Sequence, residues 1–337
     1  MITLKSASKK LPAGKFKKGT PRLLITIGDA NGIGPEIILK VFNDKKFIKE
    51  YDIKIAGSKY ILDYYSNVYN LNEIESDKFV QVNVPQSFKV NVGEIDKAAG
   101  KHAGDAIKLA ASMCMNKEAD AMITMPISKE SFNLGGYQYP GHTEMVTEIS
   151  GSKKSAMILY SKKMIVALAT THIALDKVSK QIVKTKLVEK LIIVNNSLVA
   201  DFKMQKPSIA VLGLNPHGGD GGLMGTEEKN IITPMIREMK EAGFNIDGPF
   251  PADGFFASKK YKEFDLVFAM YHDQGLIPFK MVAFEKGVNY TAGLNFIRTS
   301  PDHGTAFNIA GKCKADLQSS ICAIKLADRL ARNQMHD

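Results

Sequence analysis

Short apolar runs, each the length of one buried strand, alternate along this chain with longer amphipathic segments. RLLITIG opens the series at Arg22, and a turn and a helix from about Pro35 come after it. YDIKIAG is a second strand, His102–Asn116 reads as a helix with Ala and Met on its apolar face, and ADAMITMP is a strand again. After the loop LGGYQYPGHTE come the strands SAMILYS and MIVALATT, then a long amphipathic helix over roughly 176–199. The strand SIAVLGLN, the helix TEEKNIITPMIREMKEAG, the strand LVFAMY and the helix SSICAIKLADRLARN complete the order. Strands that are apolar throughout, rather than alternately, belong to a sheet covered on both faces. Strand–helix alternation therefore predicts an α/β fold with a mostly parallel sheet and helices on both sides. No internal repeat accompanies it.

The 337 residues suffice for a large core and two lobes, and 45% apolar with 24% charged residues is ordinary globular composition. No apolar run approaches the length of a membrane span. Cys114, Cys313 and Cys322 lack a CxxC spacing. They are expected to be small buried hydrophobes in a reduced, cytoplasmic protein without disulfides. The formal charge of +10 is partly an N-terminal effect: MITLKSASKKLPAGKFKKGTP carries six lysines and no acid. That segment lacks the apolar core of a secretory signal, and residues 1–20 are expected to form a disordered, solvated arm. Elsewhere Lys and Glu interleave on helical faces. A nucleic-acid binder would need basic or aromatic clusters in the folded body, and none is visible.

Three histidines come after buried strands: His172 after MIVALATT, His217 after SIAVLGLNP and His272 after LVFAMY. Parallel strands deliver their C-terminal ends to one edge, where ligands collect. One histidine near a strand end is usually a hydrogen-bonded structural residue. Three so placed predict a zinc-like metal site with a position open for substrate.

The connecting loops carry the rest of the chemistry. GDANGIGPE (Gly28–Glu36) succeeds the first strand and opens a helix, with Pro35 suited to a first helical turn. Its spacing is not GxGxxG, and Asp29 either caps the turn or positions a partner. NPHGGDGGLMGTEE places five glycines around His217, an entropic expense suited to a mobile active-site loop. Thr226 is expected to cap the next helix, with Glu227 and Glu228 structural in its first turn. YHDQGLIPFK sets His272, Asp273 and Gln274 together, and Lys280, Asn289 and Arg298 lie further along. Two cations and an amide near a metal suit an anionic hydroxylated substrate. His142 and Thr143, in GHTE, either touch substrate or satisfy a loop carbonyl. His303 is expected to be structural or to support a ligand-contacting residue from behind, and His102 and His336 to lie at the surface.

These segments resemble the 4-hydroxythreonine-4-phosphate dehydrogenase family of pyridoxal phosphate biosynthesis. The matching stretches are GDANGIGPE, GHTE, VALATTHIAL, GLNPHGGDGGLMGTEE, PADGFF, AMYHDQGL, GVNYTAGLNFIRTSPDHGTA and GKCKAD, from about Ile25 to Asp316. The resemblance implies an isocitrate/isopropylmalate-dehydrogenase-like α/β/α architecture of two subdomains with the active site in the cleft. Residues 21–135 with 275–337 would form one subdomain and 136–274 the other. It implies His172, His217 and His272 as ligands of a divalent metal (zinc, with magnesium or cobalt as alternatives) at a homodimer interface. It implies substrate contacts from His142, Thr143, Lys280, Asn289 and Arg298, catalytic proton transfer by Lys280 or Asp253, and NAD as hydride acceptor. The implied reaction oxidises the C3 hydroxyl of 4-phosphooxy-L-threonine to a 3-keto acid, which decarboxylates to 3-amino-2-oxopropyl phosphate.

The chain departs from the family pattern at Ala30-Asn31, where Pro-Ala is expected, at Asn295, where proline is usual, and in its lysine-rich arm. No proposed ligand is touched, but the substrate stays open to 4-phospho-D-threonate or 4-phospho-D-erythronate. A three-histidine zinc hydrolase or lyase would share the metal without needing NAD.

Overall fold

A computed structural model describes residues 16, 17 and 19–335, so the lysine-rich arm lies largely outside the described residues and His336 wholly so. Contacts divide the chain into two units, one running to His142 and adding His303–Leu317, the other Thr143–Asp302 with the segment from Gln318.

The first unit holds β1 (Arg22–Thr26), β2 (Asp52–Gly57), β3 (Phe79–Gln81) and β4 (Ala121–Thr124). Their order is β3-β2-β1-β4, and all neighbours are parallel. Leu23, Leu24, Ile25, Met122 and Ile123 have no exposed surface, as a sheet covered on both faces requires. Its main helices are α1 (Gly34–Asn43), α2 (Lys59–Tyr69) and α3 (Lys97–Met115). Pro35 does sit in the first turn of α1. Gly28 has φ +75°, and a Cβ there would lie 2.5 Å from the Pro126 carbonyl oxygen, so only glycine fits this turn. Asp29 accepts from the Asn31 backbone N–H at 2.9 Å, which is the turn-capping role.

The surface placement expected for His102 is wrong. It is only 3% exposed, on the face of α3 that also buries Ala99, Ala103, Ala106 and Ala110. The alanines mark the apolar face in the sequence, but a polar imidazole among them does not read as part of it. Burial pushes the His102 pKa down from 6.5 to about 4. The folded state therefore resists a proton that the unfolded chain accepts, and stability should fall as pH drops from about 6.5 towards 4. His102→Gln should flatten that part of the stability–pH curve measured by urea unfolding; an unchanged slope would refute the assignment.

The second unit contains β5 (Ala156–Tyr160), β6 (Ile165–Leu168), β7 (Ile209–Leu212), β8 (Ile246–Phe250), β9 (Leu266–Ala269), β10 (Val288–Ala292) and β11 (Ile297–Pro301). They lie in the order β11-β10-β5-β6-β9-β7-β8. β11, β10, β5 and β6 pair antiparallel, whereas β6, β9, β7 and β8 pair parallel. Its main helices are α4 (Lys184–Ala200), α5 (Thr233–Glu241), α6 (His272–Ala283) and α7 (Gln318–Met335).

Residues 275–302 and 318–335, expected with the first subdomain, belong to this unit. The reason is pairing: β10 hydrogen-bonds to β5, and α7 packs on β10 and β11. The single helix expected over 176–199 is broken into Leu175–Lys177, Val178–Gln181 and α4. The break falls at the β-branched pair Ile182-Val183, where Val183 is extended (φ −119°, ψ 130°). Cys114 is buried as expected, but Cys322 is only partly so and Cys313 is exposed; none forms a disulfide. No described helix is long and apolar enough to cross a membrane.

Candidate functional site

Within the second unit, β9 lies between β6 and β7, and all run parallel. The segments that leave their C-terminal ends carry His172 (after β6), His272 (after β9) and His217 (after β7), as the strand-end pattern requires. Beyond the β6–β9 ladder the chains stay joined. The Met270 carbonyl accepts from the Thr170 backbone N–H at 3.2 Å and from the Thr170 hydroxyl at 2.7 Å. This brings the His172 and His272 rings to a centroid separation of 5.7 Å. Both line a cavity of about 340 Å³ with Thr171, Tyr271 and Asp273.

His272 Nδ1 lies 2.7 Å from Asp273 Oδ1. Such a bond selects the tautomer that leaves Nε2 as the ligating atom, the arrangement common behind metal-bound imidazoles. Close packing holds the helix start in place. A Cβ on Gly275 would come within 2.8 Å of both Leu168 and Val166, so α6 sits tightly on β6 because this residue is glycine.

His217 takes a different path. It and the next four residues, Gly218 to Gly221, all have positive φ, winding a left-handed turn. Glycine supplies that conformation without strain, which explains the glycine density. Glu228 organises the turn from within. It is 4% exposed and accepts from the Leu214 and Asn215 backbone N–H groups at 2.7 Å each and from Asn215 Nδ2 at 2.8 Å. A Cβ on Gly219 would meet Glu228 Oε2 at 2.7 Å. The structural role expected for Glu228 is therefore clear, but Thr226 makes no side-chain cap; the helical segment Glu228–Ile232 begins from Glu227 as a π-turn. Among the described residues, no three His, Cys, Asp or Glu side chains of one chain converge to hold a metal. The chain brings His172 and His272 together and leaves His217 apart from them.

The other candidates spread over neighbouring elements. Arg298, on β11, is 2% exposed and donates to Thr291 Oγ1 at 2.9 Å and, at the limit of 3.5 Å, to Thr143 Oγ1. Burial pulls its pKa down to about 10, against the attraction of Glu144, so it remains a cation at neutral pH. Asn289, on β10, donates from Nδ2 to Met157 Sδ at 3.2 Å, while its Oδ1 is buried without a partner. An orphaned acceptor of this kind suits a ligand hydroxyl. Lys280, in the last turn of α6, lies 3.7 Å from Asp302 Oδ2. Asp253 is exposed on the short helix Ala252–Ala257. His142 Nε2 lies 3.1 Å from the Met125 carbonyl oxygen. His303 Nδ1 lies 3.2 Å from the Gly304 carbonyl oxygen, in keeping with a structural residue. Sequence reasoning passed over Thr291 and Asp302. Thr291 gave no signal, because a hydroxyl inside a strand reads as propensity; Asp302 stood in the dense polar segment RTSPDHG but pairs with a lysine distant in sequence.

The family model "Pyridoxal phosphate biosynthetic protein PdxA" matches residues 41–327. A 4-hydroxythreonine-4-phosphate dehydrogenase of Sulfurihydrogenibium is 42% identical over 321 residues, covering 92% of this chain and 98% of that protein. A D-threonate 4-phosphate dehydrogenase of Salmonella typhimurium is 37% identical, covering 93% and 99%. The crystal structure of 4-hydroxythreonine-4-phosphate dehydrogenase from Klebsiella pneumoniae superposes with a TM-score of 0.83 at 34% identity, covering 93% of this chain and 99% of that one.

Proposed function

The chain belongs to the PdxA family of pyridoxal phosphate biosynthesis, and on that premise we propose that it oxidises 4-phosphooxy-L-threonine with NAD and a divalent metal. The observation that carries the metal is the His172–His272 pair, with Nδ1 of His272 engaged by Asp273. Two imidazoles beside a roomy cavity fit a zinc-like ion, with His217 as the third ligand. When bound, the metal supplies electrophilic polarisation of the reacting oxygen and NAD takes the hydride.

The chain's own groups account for the rest. Arg298 and Lys280 balance the substrate's anionic groups, with Thr143 beside Arg298 and His142 next to Thr143 in the chain. The orphaned Oδ1 of Asn289 accepts from a substrate hydroxyl. Lys280 or Asp253 takes the proton of the C3 hydroxyl as hydride leaves C3, giving the 3-keto acid. Loss of carbon dioxide then breaks the bond to the carboxylate, and the same group returns a proton to the carbon left behind, yielding 3-amino-2-oxopropyl phosphate.

A second reading, oxidation of 4-phospho-D-threonate or 4-phospho-D-erythronate, is favoured by the Salmonella relative's name. A metal hydrolase without NAD is not, since the relatives above are dehydrogenases by name. A panel of phosphorylated four-carbon acids, assayed for NADH formation with several divalent metals, discriminates among these. Turnover of 4-phosphooxy-L-threonine well above the others is expected; preference for a threonate or erythronate would install the second reading. Arg298→Lys should lower kcat/KM by about 10–100-fold, because a lysine cannot reproduce bidentate anion contact. Unchanged preference for phosphorylated over unphosphorylated substrate in both Arg298→Lys and Lys280→Ala would make these residues structural cations.

The active unit in this proposal is a cytoplasmic homodimer with shared sites. Its support is an apolar stripe on the outer face of α6: Ile277 and Met281 stand 58% and 83% exposed, with Phe284 after them at 73%. Ile277 and Met281, at i and i+4, share one helix face, and large exposed apolar residues so aligned suit burial by a second copy. His217, apart from the other two ligands within one chain, would then meet them across the two-fold axis.

A further inference from the structure

Met270 is a node in the second unit. It has no exposed surface and stands two residues before His272. Its carbonyl oxygen holds Thr170, two residues before His172. Its backbone N–H donates to Gln274 Oε1 at 2.7 Å, and Gln274 Nε2 donates onward to the Gly213 carbonyl oxygen at 2.6 Å. Gly213 comes directly after β7 and leads into the turn carrying His217; its own N–H is bonded to Phe250 of β8 at 2.8 Å.

The last register partners between β7 and β9 are Val211 and Phe268. Past them, no further β7–β9 register pair follows among the described residues. Only a side chain can carry the connection further. It must accept from one backbone amide and donate to one backbone carbonyl, so it must be an amide of glutamine's reach. A glutamate has no proton for Gly213, and a methionine has neither function.

We infer that Gln274 is a positioning residue: its amide sets the spacing between the strand end that carries His272 and the turn that carries His217. The hydrogen-bond chain Thr170–Met270–Gln274–Gly213 runs across three strand ends, each of which precedes one candidate ligand. On the far side, Glu228 grips Leu214 and Asn215, so a displacement at Gly213 passes directly into the left-handed turn. Gln274 acts on the candidate ligands through the backbone. Its effect on metal rests on the metal site proposed above, whereas the coupling of the two segments does not.

The test uses the full-length chain with Gln274→Ala and Gln274→Glu, read by amide hydrogen exchange and by titration with Co²⁺. Gln274→Ala should raise exchange roughly tenfold or more in both the 268–273 and the 213–222 segments. Co²⁺ affinity should fall by about 10–100-fold, the usual effect of losing an outer-shell partner. Gln274→Glu keeps the acceptor for Met270 but sets a carboxylate against the Gly213 carbonyl, so its exchange should rise mainly in 213–222; it also serves if the alanine variant fails to fold. A lower melting temperature with wild-type exchange in 213–222 and wild-type Co²⁺ affinity would mean an ordinary structural contact and overturn the inference. If the wild-type chain binds no Co²⁺, the metal reading falls, and exchange in 213–222 alone decides whether Gln274 couples the segments.

Discussion

With the proposed metal site, His272→Ala should abolish divalent-metal binding while leaving the chain folded. The imidazole is half-exposed at the start of α6 and its side chain bonds to the neighbouring Asp273, so its removal opens no core cavity. Loss of a ligand should weaken metal affinity by more than the roughly 100-fold typical of losing an outer partner, with activity falling in parallel. Metal analysis of the purified variant, with circular dichroism for the fold, checks both halves. Full occupancy would exclude His272 as a ligand. Mixing His217→Ala with His272→Ala chains carries the test to the assembly. Ligands drawn from different copies would restore one complete site per heterodimer and part of the activity, whereas ligands drawn from the same copy would restore none.

Glu228→Ala should produce the largest loss of stability among the candidate-site residues. The buried carboxylate is the acceptor for two backbone amides and the Asn215 side chain. Asn215 Nδ2 keeps Glu227 as a partner, so two backbone amides are left unsatisfied at about 1–3 kcal/mol each, and a total of about 2–6 kcal/mol is expected. The left-handed turn should also lose its conformation, since the glycines from Gly218 to Gly221 are free to adopt many others once the carboxylate is gone. Glu228→Gln retains an oxygen for the backbone amides and should recover more than half of the loss. Urea midpoints for the two variants provide the measure; equal midpoints for Glu228→Ala and wild type would show that the turn is held by other contacts.

Much of this site was legible in order along the chain. A buried parallel strand announces itself by apolar residues on both faces, and the residues after it must emerge at the shared edge. His172, His217 and His272 were found that way, and β6, β9 and β7 are indeed parallel neighbours. Glycines around His217 likewise announced an unusual backbone, and positive φ angles through Gly221 are its form. Asn289 and Arg298 were recognisable as chemistry but not as strand residues. Their segment, GVNYTAGLNFIRTSP, is polar enough to read as a loop, yet pairs as β10 and β11 because their partners are an antiparallel neighbour and a covering helix.

Contiguous residues sufficed for the α/β class, the strand ends that bear histidine and the family, because periodicity and local motifs are properties of neighbours in the chain. Everything else waited on pairing between separated segments, which alone sets register and distance. The β6–β9 register places His172 beside His272, while Glu228 organises the turn that carries His217. Burial of His102 depends on packing that a polar imidazole does not announce in the sequence. Placement of α7 with the second unit depends on strands far from it in sequence. In each case the deciding contact joins residues whose separation along the chain carries no local signal.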